Sequence, residues 1–258
     1  MKITALTENT AADPRVGCEH GLSLYIEANG YKILFDTGQS ELFAENAGKL
    51  GVDLSKVDIC VLSHGHYDHS GGLRRFTQLN DHAPVYLNRH AFEPHYNAAD
   101  KYIGIDAALK GCGRLVFTDE QAVIGGGLTL YACNELKTLY PVLSAGLKAE
   151  IDGELVPDDF RHEHYLLIEE GAKRVLVSGC SHTGILNLAE WFRPDVLIGG
   201  FHLMKVDDER LLTEYAARLN AAPAEYYTCH CTGTQQYEVM KRHMDRLRYL
   251  SAGQTIEI

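Results

Sequence analysis

The sequence lacks the features of a membrane-inserted or nucleic-acid-binding protein. No apolar run approaches the roughly 18 residues that a membrane-spanning helix needs, which excludes insertion as a helix. Lys and Arg number 24 against 35 Asp and Glu, and the formal net charge of -11 opposes binding to a phosphate backbone or an anionic membrane. We therefore expect neither nucleic acid nor a membrane as a partner.

The cysteines are too few and too scattered for a covalent framework. There are seven, an odd number without a C-x-x-C pair, which fits neither a set of disulfides nor a structural zinc ribbon. Reduced thiols are therefore expected. Residues 1–8 are typical of a strand and lack the apolar stretch and small-residue cleavage site of a secretory signal, so we expect a cytoplasmic protein.

What the sequence does contain is an alternation of short strands and helices. Residues 22–27 alternate apolar and polar side chains, turn at Asn29-Gly30 and resume at 31–35, which predicts a β-hairpin. A helix over 41–50, ended by glycine, and a buried strand over 57–62 follow. The later predicted elements are strands 165–168 and 174–178, helix 185–191, strand 196–198, helix 211–219, strand 225–228, helix 235–247 and strand 255–258.

Two halves of mixed content suggest two β-sheets packed together with helices outside, an α/β (α+β) architecture. Folds of this kind with 258 residues often form one domain, and no repeat, low-complexity tract or linker divides the chain. We predict a single domain over residues 1–258. The glycines at 125–127 lack the spacing of a phosphate-binding loop and predict only a tight loop between short strands.

Thirteen histidines are many for this length, and three of them lie in the segment 63–72, SHGHYDHSGG. His64 and His66 are separated by one residue and can converge on one metal ion, whereas Asp68 and His69 turn towards a neighbouring position. One loop can therefore serve two ions. The alternative is a solvated polar loop, which does not account for four ligand-type side chains in this order directly after a buried strand.

These residues resemble the H-x-H-x-D-H signature of the metallo-β-lactamase superfamily, and the likeness extends over nearly the whole chain. The segment FDTG at 35–38 resembles the superfamily's first motif, in which Asp36 ends the strand before the histidine loop. The chain also resembles one subgroup, the archaeal dihydropterin-ribofuranosylaminobenzene phosphate synthases and their bacterial relatives. That resemblance rests on segments 19–23 (EHGLS), 179–184 (GCSHTG), 199–203 (GGFHL) and 229–233 (CHCTG).

The resemblance implies a four-layer αβ/βα sandwich, the metallo-β-lactamase fold, with a metal site along one edge. His182 follows a predicted strand at a glycine-flanked turn, from which it could complete the site of His64 and His66; a neighbour of a helix N-cap is the alternative. His230 follows another predicted strand and could join the second position, or be an ordinary loop histidine. Two open sites of three ligands are catalytic in character. One or two divalent transition-metal ions are expected, with zinc favoured and iron or manganese as alternatives.

One departure concerns the bridging aspartate that many superfamily hydrolases carry, because this chain has Gly179-Cys180 in its place. Either Cys180 contributes a thiolate, or the bridge is missing and the second ion is weak, exchangeable or absent. His162 and His164 also have H-x-H spacing and would share one face of an extended segment. They compete with His182 for the role of third ligand, and His162 is the one expected to reach the site.

His202 lies in the GGFHL loop, where packing does not require an imidazole, so it could bind substrate or transfer a proton; an ordinary loop histidine is the alternative. Glu19 and His20 precede the first hairpin and are candidates for lining the cleft.

The remaining residues are expected to be structural: Cys60 in the core, Cys229 and Cys231 as packed thiols on the face opposite His230, and His82, His90, His95 and His243 as surface or core residues.

A divalent ion in an open site lowers the pKa of bound water and stabilises negative charge on a carbonyl or phosphoryl oxygen, which supports hydrolysis. Asp68 would orient the water or accept its proton, and His202 would protonate a leaving group. We predict a metal-dependent hydrolase that acts on a phosphorylated or ester/lactone small molecule, and we expect the substrate to be phosphorylated or anionic. The subgroup resemblance implies a transferase as an alternative, in which an arylamine displaces diphosphate from a pterin methyl carbon. A non-catalytic metal-dependent binding protein is the third alternative.

Overall fold

The computed structural model describes residues 1–258 and contains seventeen strands and six α-helices. The strands of the first half are β1 (Lys2–Thr7), β2 (Ser23–Ala28), β3 (Tyr31–Phe35), β4 (Ile59–Val61), β5 (Val85–Asn88), β6 (His95–Tyr96) and β7 (Leu115–Thr118). Those of the second half are β8 (Gln121–Gly125), β9 (Leu128–Tyr131), β10 (Lys148–Ile151), β11 (Glu154–Pro157), β12 (Tyr165–Glu170), β13 (Lys173–Ser178), β14 (Val196–Gly199), β15 (Glu225–Thr228), β16 (Leu247–Tyr249) and β17 (Thr255–Glu257). The α-helices are α1 (Leu42–Leu50), α2 (Tyr67–Ser70), α3 (Leu73–Leu79), α4 (Ile185–Phe192), α5 (Glu209–Asn220) and α6 (Thr234–Lys241).

The strands form two sheets of seven, in the orders β17-β1-β2-β3-β4-β5-β7 and β16-β15-β14-β13-β12-β9-β8, and a small third sheet, β11-β10-β6. In the first large sheet β3, β4, β5 and β7 run parallel, and in the second β13, β14, β15 and β16 run parallel. Parallel neighbours end at the same edge of their sheet, so the loops that follow them are brought together there.

Alternating side chains along the strands produce the layers. Ile33 and Phe35 of β3 pack into the core between the sheets, whereas Leu34 packs with Phe43 and Phe76 of the outer helices. The second sheet repeats this arrangement, since its strands contribute to the same inter-sheet core on one face and contact α4, α5 and α6 on the other. Because successive strand residues face opposite sides, each sheet is buried on both faces. The predicted four-layer αβ/βα sandwich is confirmed.

Several predicted elements are confirmed with small changes in their ends. The β2–β3 hairpin pairs Leu24 with Phe35, and its turn places Asn29 and Gly30 at φ 49° and 81°, the left-handed pair that a type I′ turn needs. Helix α1 ends at Gly51, which has φ 75°. Gly125 ends β8, and Gly126 and Gly127 form the tight loop to β9, as expected.

The prediction of one helix over 235–247 is wrong. Helix α6 ends at Lys241, and the chain turns so that Leu247 pairs with Tyr226 in the parallel strand β16. Local composition favours a helix there, but burial of Leu247 beside β15 decides the conformation. The strands from β5 to β11, apart from the pair around 125–127, are also not among the predicted elements. No helix of the structure has the length and apolar character needed to cross a membrane.

Candidate metal centre

The side chains singled out from the sequence converge where parallel strands of both sheets end. Asp36 follows β3, the histidine loop follows β4, and the three remaining histidine-bearing turns follow β13, β14 and β15. These turns carry His182, His202 and His230. The topology of the two sheets therefore assembles the site from segments far apart in the chain.

His64, His66 and His182 form the first group of possible ligands. One ring nitrogen of each lies within 4.8 Å of the others, and all three side chains are buried. His64 Nε2 and His182 Nε2 are 3.3 Å apart. Two nitrogens bound to one tetrahedral zinc ion, each at about 2.0–2.1 Å, are separated by about 3.3 Å. The spacing of this pair therefore equals that of two ligands of one ion.

Asp68, His69 and His230 form a second group beside the first. His69 Nε2 lies 3.1 Å from His230 Nε2, and Asp68 Oδ2 lies 3.4 Å from His230 Nε2 and 3.8 Å from His69 Nε2. His20 joins this group, with its Nε2 at 3.3 Å from Asp68 Oδ2. An ion here would have one carboxylate and two imidazole ligands, a set suited to zinc, iron or manganese.

Asp36 orients the histidine loop and is not itself part of either ligand group. Its carboxylate accepts hydrogen bonds from Ser63 N and Ser63 Oγ, both at 2.7 Å, and from His69 Nδ1 at 2.7 Å. The Ser63 hydroxyl lies 2.8 Å from His64 Nδ1. Because the Nδ1 side of both rings is engaged, their Nε2 atoms are directed into the site.

Burial lowers the pKa values of His64, His66 and His182 well below the ordinary value, and neighbouring imidazoles add to the effect. These rings are neutral near pH 7 and keep a lone pair for a metal ion. A divalent cation would fit this cluster, because it satisfies buried nitrogen lone pairs that protons do not occupy.

The second group carries more negative charge. Burial opposes ionisation of Asp68, but His69 and the hydrogen bonds from His20 and His230 lower its pKa well below the usual value. Burial likewise opposes protonation of His69, yet the carboxylates of Asp36 and Asp68 raise its pKa to about 9. A metal ion at this position therefore has to displace a proton from His69.

A group that sequence reasoning missed lies behind the His64–His66 turn. We call His66, His95, Asp158 and His162 the Asp158 cluster; all four are buried and their ligand-type atoms lie within 4.8 Å of one another. Asp158 Oδ2 accepts from His95 Nδ1 at 3.1 Å and from His162 Nε2 at 3.2 Å. His162 Nδ1 accepts the N–H of Gly65 at 2.9 Å.

Both nitrogens of His162 are thus engaged, one by the loop backbone and one by a carboxylate. This arrangement supports the loop and does not offer His162 as the third ligand beside His182. The neighbouring His164 lies apart, with its Nδ1 3.1 Å from Thr118 Oγ1. No local pattern marked His95 or Asp158, because their contacts to the loop are made across long sequence separations.

Cys180, His202 and Cys231, which we call the thiol cluster, lie on another side of the centre. Their donor atoms are within 4.8 Å of one another, and Cys180 Sγ is also 3.3 Å from His69 Nε2. The expectation that Cys231 packs on the face opposite His230 is wrong. Residues His230–Thr232 form a 3-10 turn, with His230 at φ 49°, so Cys231 is turned towards the cleft.

The other expectations for cysteine and acidic residues have mixed outcomes. Cys229 packs in the inter-sheet core and Cys60 packs against the outer helices, as predicted. Glu19 accepts hydrogen bonds from the backbone N–H groups of Gln39 and Ser40 and does not line the cleft. All seven cysteines are free thiols.

A cleft of about 400 Å³ opens over both ligand groups, which is room for a small molecule. His20, Asp68 and His202 are exposed to it, together with apolar side chains such as Leu147. Lys205 provides the only Lys or Arg side chain of the lining. Open ligand groups below a partly apolar cleft suit catalysis or binding of an organic substrate better than a purely structural metal.

Comparison with known proteins agrees with this geometry. The family model of the Metallo-beta-lactamase superfamily matches residues 16–200. An uncharacterized protein of Methanocaldococcus jannaschii is 32% identical over 245 residues, with 90% of each chain covered. The 7,8-dihydropterin-6-methyl-4-(beta-D-ribofuranosyl)-aminobenzene-5'-phosphate synthase of the same organism is 29% identical over 285 residues, covering 100% of this chain and 96% of the synthase.

A solved structure described as a metal-dependent hydrolase of the beta-lactamase superfamily superposes with a TM-score of 0.85 at 30% identity. The alignment covers 100% of this chain and 99% of the other. The likeness thus includes both sheets and every loop that carries a candidate ligand. On its sequence, its fold and the arrangement of its histidines, this chain belongs to the metallo-beta-lactamase superfamily.

Proposed function

We propose that the protein is a metal-dependent hydrolase of a small anionic ester, phosphoester or lactone. The observation that carries the proposal is that ring nitrogens of His64, His66 and His182 lie within 4.8 Å of one another, that ligand atoms of Asp68, His69 and His230 lie within 3.8 Å, and that both groups share one open cleft. The whole chain acts as one domain in this proposal, because both halves contribute ligands. The proposed ligands are His64, His66 and His182 for one ion and Asp68, His69 and His230 for the other.

When bound, divalent ions lower the pKa of water and stabilise negative charge on a carbonyl or phosphoryl oxygen. The carboxylate of Asp68, whose lowered pKa keeps it ionised, would orient the attacking water, and the hydrogen bond from His20 keeps its position fixed. His202 Nε2 has no hydrogen-bond partner in the protein, and its ring lies 4.3 Å from that of His182. The imidazole of His202 is therefore placed to give a proton to the leaving group.

The residues at the rim of the cleft interact with the charge of the substrate. Lys205 is exposed there and attracts an anionic substrate, while His20 is held close to Asp68. Side chains such as Ile103 and Leu147 would contact the apolar part of the molecule. These features favour a phosphorylated or carboxylated organic substrate over a bare inorganic anion.

Metal content and a substrate panel test the proposal. Protein purified without chelators should retain zinc, iron or manganese, and adding that metal to apoprotein should restore hydrolysis of at least one phosphoester or lactone. Less than about a tenth of an ion per chain would contradict metal dependence. Full metal occupancy without turnover of any panel member would contradict the hydrolase assignment and favour a binding protein.

A transferase is the second candidate, and full-length similarity to the pterin synthase is the observation that favours it. In that reaction the nitrogen of an arylamine bonds to the pterin methyl carbon as the bond to diphosphate breaks. Assay with a dihydropterin methyl diphosphate, with and without the arylamine, separates the two candidates. A coupled product that forms only with the amine supports transfer, and diphosphate release without it supports hydrolysis.

A further inference from the structure

The thiol cluster contains more donor atoms than the proposed reaction uses. Cys180, His202 and Cys231 each offer one atom within 4.8 Å of the other two, and all three residues line the cleft. Cys180 Sγ also lies within 4.8 Å of ring nitrogens of His64 and His69, whereas Cys231 is close to neither ligand group in this way. Two thiols and an imidazole within this distance are a ligand set for a thiophilic ion.

The surrounding backbone is shaped to admit the sulfur of Cys231. A Cβ at Gly200 would overlap Cys231 Sγ, so glycine is required for the thiol to occupy this place. The backbone N–H of His202 donates to Cys231 Sγ at 3.3 Å, a contact that stabilises a thiolate. His202 Nε2 is buried and lacks a hydrogen-bond partner. The cluster therefore has the room, the support for a thiolate and an unused nitrogen.

The Asp158 cluster does not offer an equivalent ligand set, although it holds four ligand-type residues. Both nitrogens of His162 are hydrogen-bonded, and Asp158 accepts three hydrogen bonds, one of them from Phe160 N at 2.8 Å. Only His66 Nε2 and His95 Nε2 lack partners. These two nitrogens are too few for a metal site, which needs at least three ligand atoms from the protein.

We infer that Cys180, His202 and Cys231 form a third metal site, selective for thiophilic ions such as Zn²⁺, Cd²⁺ or Cu⁺. Binding releases the protons of the two thiols to solvent as the sulfurs become thiolates. The open side of this three-ligand site faces the cleft. Occupation takes the His202 imidazole out of proton transfer, so excess thiophilic metal inhibits the enzyme; this last consequence alone rests on the proposed function.

Cadmium titration of the reduced full-length protein tests the site, because only thiolate ligation produces the ultraviolet sulfur-to-cadmium charge-transfer band. Wild-type protein should develop the band and bind about one more ion per chain than Cys231→Ala. Cys229→Ala is the matched control, since Cys229 is a buried thiol two residues away in the core. It should keep the full band and the wild-type number of ions.

The inference is overturned if wild-type protein shows no band, or if Cys231→Ala keeps the band at full strength. If Cys231→Ala does not fold, cadmium-113 resonance of the wild-type protein decides instead. A signal shifted by two thiolate ligands supports the site, and signals with fewer than two thiolates refute it. Hydrolysis is measured separately, on protein without excess thiophilic metal, so failure of the proposed reaction leaves this result unaffected.

Discussion

The Asp158 cluster and the thiol cluster lie beside the same metal-ligand loops, but their polar atoms are used differently. In the first, a buried carboxylate anchors two imidazoles, and His162 extends the chain of hydrogen bonds to Gly65 between two proposed ligands. In the second, the three donor side chains line the cleft, and one of them has a buried nitrogen without a hydrogen-bond partner. Hydrogen-bond saturation, more than residue type, therefore separates residues that support the site from residues that can bind a ligand.

The largest effect should follow removal of what the two clusters have in common, the histidine loop. The double variant His64→Ala and His66→Ala should abolish binding at the first ion position, because two of its three ligands are lost. Elemental analysis after dialysis measures the ion, and circular dichroism measures the fold. The fold should persist, since a core of this size does not depend on a metal. Loss of cooperative unfolding in this variant would contradict that view.

Removal of the His202 imidazole from the thiol cluster should reduce turnover without removing metal from the two proposed ligand groups. For His202→Ala we expect kcat to fall about 10²-fold or more, the usual effect of losing a general acid. Kinetics on a verified substrate and metal analysis of the same sample provide the measurement. Unchanged turnover at full occupancy would make His202 an ordinary loop residue, and loss of the histidine-bound metal would make it a ligand there.

In the Asp158 cluster, Asp158→Asn should weaken metal affinity about 10- to 100-fold. The carboxylate accepts from Phe160 N through Oδ1 and from both supporting imidazoles through Oδ2, whereas an amide offers one acceptor oxygen for these two places. Chelator competition measures the affinity. Asp159→Asn changes the neighbouring exposed carboxylate in the same way and should have no such effect. If the two variants bind metal equally tightly, the Asp158 cluster does not support the site. The cadmium charge-transfer band of the thiol cluster should be unchanged in both.

The smallest effect should come from Lys205 at the rim of the cleft, which belongs to neither the Asp158 cluster nor the thiol cluster. Lys205→Gln should raise KM for an anionic substrate about 2- to 5-fold with kcat unchanged, the scale of an exposed ion pair. Added salt should reduce the difference. Lys173→Gln, at the exposed beginning of β13, serves as the control. A KM equal to that of wild type would remove Lys205 from substrate binding.

Local sequence predicted the structure correctly where the whole pattern lies within one short segment. The hairpin followed from alternation and an Asn-Gly turn, and the histidine loop from ligand-type residues directly after a buried strand. The helix predicted over 235–247 failed because a strand partner far away in the sequence outweighed local propensity at Leu247. His95 and Asp158 were missed for the same reason, because their contacts are to residues far away in the sequence. The residues next to them in the chain do not distinguish them from ordinary core or surface residues.

The sequence by itself determined the superfamily, the two large sheets with outer helices and the identity of the candidate ligands, because ligand spacing and strand periodicity are properties of short segments. Only the tertiary structure decided which side chains support the site and which remain open. Gly65 meets His162 across 97 residues, and His95 meets Asp158 across 63. Cys231 faces the cleft because the turn at His230 reverses the orientation that an extended segment would give. Such contacts depend on how the two sheets pack and on single backbone torsions, and neither is encoded in a local pattern.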